Sequence, residues 1–115
     1  MATVERTTDR VLHQLEHDLQ LSADELAGAL GGPVRTLEGW RLGEIVPGTA
    51  DRTRLGELEA LHRHLCRTLM PEGVPLWLRA TSRYLAGATP VDMLRGGQIE
   101  RVEAALEALD SGFFV

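Results

Sequence analysis

Lysine and asparagine do not occur in this 115-residue chain, and all 12 basic residues are arginine. That bias marks a GC-rich, bacterial coding sequence. A single cysteine, Cys66, excludes an internal disulfide and makes a reducing cytoplasm the expected compartment. Aromatic residues are scarce, at 4%. No apolar run approaches the roughly 20 residues of a membrane helix, and no signal-peptide pattern opens the chain, so no membrane partner is expected. An excess of positive charge is missing as well. The net charge is −5, with 8 Arg against 11 acidic residues in 1–70 and 4 against 6 in 71–115. Nucleic-acid binders carry a basic face, which here is at most a local patch on an acidic body.

What is present suits a folded all-α protein. Apolar residues make up 43% and charged residues 25%, enough for a packed interior and too ordered a mixture for a disordered chain. The length allows one ordinary domain or two very small ones sharing a core. Val11, Leu12, Leu15 and Leu19 form one helical stripe. Ser22 with Glu25 three residues on is a capping box that starts a second helix. Gly31-Gly32 turns the chain, and Pro33 suits the first position of a third helix, which Gly43 ends. The spacing then predicts a long helix from about Ala50 to Met70, with Leu55, Leu58, His62, Leu65 and Leu69 on one seam. "MPEGVP" breaks it. Short helices are predicted beyond, in "PLWLRA", "TSRYLAG" and "PVDMLRGG", the last capped by Thr89-Pro90. A final amphipathic helix over 98–110 turns Ile99, Val102, Leu106 and Leu109 inward, and Gly112 is placed to cap its end.

The stretch "LSADELAGALGGPVRTLEGWRLGEIVP" resembles the Xre/lambda-repressor type of helix-turn-helix. In that motif two helices cross at a fixed angle, and polar residues of the second face the major groove. The resemblance makes Arg35, Thr36 and Arg41 the candidate DNA contacts, with Glu38 among them to repel phosphate. A helix-turn-helix kept only as a dimerisation scaffold is the other reading. The rear stretch, "PLWLRATSRYLAGATPVDMLRGGQIERVEAALEALDSGFFV", resembles the C-terminal domain of the MbcA/ParS/Xre antitoxin family. Trp77, Leu85, Gly87, Pro90, Leu94, Gly97, Val102, Leu106 and Gly112 carry the match. Together the two motifs cover residues 20–115.

The resemblance implies a helix-turn-helix and dimerisation region over 1–70 and a compact toxin-binding domain of short helices over 71–115. It implies an antitoxin whose partner is a RES-domain toxin that degrades NAD. The homodimer would sit within a toxin–antitoxin hetero-oligomer, and promoter DNA is a further possible partner. Trp77, Arg83, Leu85, Gly112, Phe113, Phe114 and Val115 are then the candidate toxin contacts. Two aromatic rings and a terminal carboxylate could seat in a site built for flat rings and phosphates, or the rings could cover the chain's own core. An Xre-type regulator acting without a toxin is the alternative. "HQLEH" (His13, Glu16, His17) has the letters of an inverted zinc motif but no third ligand. "HRHLC" scatters His62, His64 and Cys66 around a helix. No catalytic set, metal site or cofactor is expected.

Overall fold

The computed structural model describes residues 2–112, and side chains from Thr8 onward. Phe113, Phe114 and Val115 lie outside the described residues. Seven helices follow one another: α1 (Ala2–Leu19), α2 (Ala23–Ala29), α3 (Val34–Leu42), α4 (Thr49–Thr68), α5 (Gly73–Arg79), α6 (Pro90–Arg95) and α7 (Ile99–Asp110), with no strand among the described residues. The fold is all-α.

Local chemistry sets the boundaries. The Ser22 hydroxyl accepts from the Glu25 N–H at 3.1 Å, and the Ser22 N–H donates to the Glu25 carboxylate at 2.9 Å. This reciprocal pair satisfies donors that α2 would otherwise leave orphaned. Pro33 is the N-cap of α3 rather than its first residue, one position earlier than the sequence suggested, and Gly43 ends the helix with φ 74°. The buried face of α4 is Leu55, Leu58, Leu61 and Leu65. His62 is turned to the side of that seam, where Asp18 of α1 meets it, and Leu69 falls past the helix end, partly buried. The helix predicted in "TSRYLAG" is absent. Residues 83–87 form successive turns, because Ala86 (φ 58°) and Gly87 (φ 91°) both take the left-handed conformation, which an α-helix cannot continue.

The two regions named in the sequence share one interior. Leu12, Leu15, Leu26, Leu37 and Trp40 from the front half meet Val74, Leu78, Leu94, Val102 and Leu106 from the rear. The most extensive packing joins α2 to α6, and α1–α3 and α4–α7 follow. At the α2–α6 crossing Gly28 lies against the backbone of Arg95: a Cβ there would come within 2.4 Å of the Arg95 carbonyl oxygen. Helices approach this closely only where a side chain is missing.

Candidate partner-binding surface

α5, the turn after it and the end of α7 enclose a small groove of about 250 Å³, lined by Trp77, Thr81, Ser82, Arg83, Tyr84 and Leu109 among others. Trp77 packs partly on the core, while Arg83 is exposed and Tyr84 is 43% exposed. The turn is closed by the Ser82 N–H donating to the Ala88 carbonyl at 2.9 Å and the Gly87 N–H donating to the Ser82 carbonyl at 2.8 Å. Trp77 and Arg83, singled out in the sequence, therefore share one surface. Leu85 is 2% exposed and lies on the inner side of the turn. Gly112 is exposed with φ 73°, just past the end of α7. The remaining candidates, Phe113, Phe114 and Val115, fall outside the described residues.

α5 also takes part in a charged junction that the sequence disclosed only as a helix cap. Glu25 is 3% exposed. Its carboxylate accepts from Arg79 Nη1 at 3.0 Å and Nη2 at 2.7 Å, and from Arg95 Nη2 at 3.0 Å. Arg79 also donates to the Gln20 carbonyl at 2.8 Å. The Arg79 hydrogen bonds hold the Glu25 carboxyl at about 2, against an ordinary 4.5, and outweigh its burial. The same contacts raise Arg79. One carboxylate thus fastens α2, α5 and α6 together, a fork-to-fork geometry that arginine and carboxylate favour. Its partners lie 54 and 70 residues away in the chain, beyond any local pattern.

The candidate DNA contacts are separated by the fold. Arg35 is exposed and Thr36 half-buried on α3. Arg41 is engaged within the chain, with Nη2 2.6 Å from Glu16 and Nη1 3.8 Å from Asp9, both on α1. Its side chain, 23% exposed, ties α3 to α1. Exposed apolar side chains gather where α3 ends, at Leu42 (71%), Ile45 (46%) and Val46 (63%). His13 and His17 lie on an exposed face, and no His/Cys/Asp/Glu group that could hold a metal occurs among the described residues. Among those residues no helix is long and apolar enough to cross a membrane.

No family model matches the chain. Individual proteins do. A probable mycobacterial cidal antitoxin of Mycobacterium tuberculosis is 41% identical over 81 residues, spanning 70% of this chain and 69% of the relative. The mycobacterial cidal antitoxin MbcA of Mycobacterium bovis is 29% identical over 97 residues, spanning 84% of this chain and 86% of its own. In the crystal structure of the Mycobacterium tuberculosis MbcT–MbcA toxin–antitoxin complex, one chain superposes with a TM-score of 0.67 at 26% identity, covering 93% of this chain and 96% of that one. Helical architecture and relatives agree on a class, the antitoxins of toxin–antitoxin pairs. Within it, the chain belongs to the mycobacterial cidal antitoxin family.

Proposed function

We propose that this protein neutralises a RES-domain, NAD-degrading toxin by binding it directly, with residues 113–115 covering the toxin's active site. The role is non-catalytic and cytoplasmic. The observation that carries it is the likeness, over nearly the whole chain, to one chain of a toxin–antitoxin complex. The surface chemistry supports it: Trp77 and Arg83 border a groove that also includes Leu109, three residues before Gly112. An aromatic ring beside a guanidinium is a common hot-spot pairing in protein interfaces. Homodimerisation within the assembly has the apolar patch Leu42, Ile45 and Val46 to draw on. Promoter binding, with Arg41 committed elsewhere, rests on Arg35 and Thr36, and so needs a dimer or the toxin complex to gather enough phosphate contacts.

Deleting Phe113–Val115 tests the central claim. The shortened protein should keep its helicity and melting temperature and still bind the toxin through the Trp77–Arg83 surface, yet no longer stop NAD consumption. Full protection by the shortened protein would refute the plug, and unfolding would assign the two rings to the chain's own core.

A further inference from the structure

The α4–α7 seam contains one half-buried histidine whose surroundings ask for a particular charge state. His64 of α4 has a side chain only 12% exposed. Its Nδ1 faces the Glu103 carboxylate and its Nε2 faces the Asp110 carboxylate. These two acids stand about two turns apart on α7, so the imidazole bridges most of the second half of that helix. A neutral imidazole has one N–H and one bare nitrogen. Between two carboxylates the bare nitrogen meets an oxygen lone pair, and only the imidazolium can donate to both. We propose that His64 is a proton-operated clasp that holds the last turn of α7 against α4 when the ring is charged and lets it go when the ring is neutral.

The other charges in the groove favour the closed form without replacing it. Arg63 and Arg67 of α4 line it, as do Glu103, Glu107 and Asp110 of α7 and Tyr84 of the turn after α5. Arg67 and Thr68 also favour the Asp110 carboxylate. Burial by itself depresses the His64 pKa, but the hydrogen bonds to Asp110 and Glu103 outweigh it and the net displacement is upward. The clasp is therefore fully closed below the ordinary histidine value of 6.5 and is lost as pH rises through the raised one. Asp110 is the partner that leaves. It is the more exposed of the two acids, at 42% against 33%, and a carboxylate at a helix C-terminus is opposed by the helix dipole. Its departure frees the end of α7, where the Ser111 N–H donates to the Glu107 carbonyl and the Gly112 N–H to the Leu109 carbonyl.

The clasp is a property of the free chain and stands whether or not the toxin assignment holds. Amide hydrogen exchange on the full-length protein, corrected for intrinsic rates, tests it between pH 6 and 9. Protection over residues 107–112 should be lost as pH rises, in step with deprotonation of the His64 ring followed by NMR. Amides of α2 should stay flat. His64→Gln, which cannot take up a second donor proton at the ring position, should remove the step. Asp110→Asn, at an exposed site, should shrink it, because one N–H then suffices. Equal protection at both ends of the range in the wild type, or an unchanged step in His64→Gln, would overturn the clasp.

Discussion

The α2–α6 seam and the α4–α7 seam each bury an ionisable side chain between partners of opposite charge, but they differ in what those partners can do. At α2–α6 the buried group is a carboxylate and its partners are Arg79 and Arg95, cations that stay charged at any pH a cell reaches. The backbones there also touch, Gly28 against Arg95. At α4–α7 the central group is His64, a histidine whose pKa its two carboxylate partners raise. The first seam is a fixed joint and the second an adjustable one. The fixed joint stands between α2 and α5–α6, so α5, which holds Trp77, is anchored by charges that do not titrate near neutrality.

Breaking the fixed joint should have the largest effect. Gly28→Ala forces a methyl group into the Arg95 backbone, which cannot swing away as a side chain would. We expect a loss of about 3 kcal/mol in urea unfolding, with the α2–α6 crossing displaced. Glu25→Gln comes next, at about 2 kcal/mol near pH 7, since it weakens two charge-assisted contacts but keeps a cap acceptor. The sign of its pH dependence is fixed. Glu25 has its folded pKa depressed to about 2 from 4.5, so its contribution is complete above 4.5 and is lost as pH falls toward 2. Wild type and Glu25→Gln should therefore converge in acid-denaturation curves below pH 4.5, and a constant gap there would show that the carboxylate is not the source of the stability. The smallest effect has the opposite sign. Gly56 sits exposed in mid-α4 with nothing within 4 Å of an added Cβ, so Gly56→Ala should stabilise by about 0.8 kcal/mol. If both glycine variants destabilised alike, close backbone contact would not be what distinguishes Gly28.

Local sequence carried the helices and their ends. The Ser22–Glu25 box, the Thr89 cap of α6 and the glycines at 43 and 112 behave as their side chains dictate, because capping is decided within four residues. The same was true of the α1 stripe. Long-range pairing was not legible. Glu25 meets cations 54 and 70 positions away, and His64 meets acids 39 and 46 away. Periodicity contains no information about which charged residue of one helix will face which residue of another. Arg41 shows the same limit from the opposite side, since an arginine on α3 looks unpaired in the sequence until Glu16 of α1 is seen beside it. The α4 seam was misjudged by a single position, Leu61 for His62, because a 3-4 spacing fits both and only the neighbouring helix chooses. In the turn at 83–87, Leu85 was legible as important but its direction was not.

The Glu25 junction also bears on the order in which the chain can mature. While a ribosome has delivered only α1 to α4, the carboxylate has its cap but neither of its cations, since Arg79 and Arg95 have yet to be made. Desolvating an unpaired carboxylate is costly, so burial of Glu25 is favourable only with those cations in place. α2 therefore has its full set of electrostatic partners only after α6 has been synthesised.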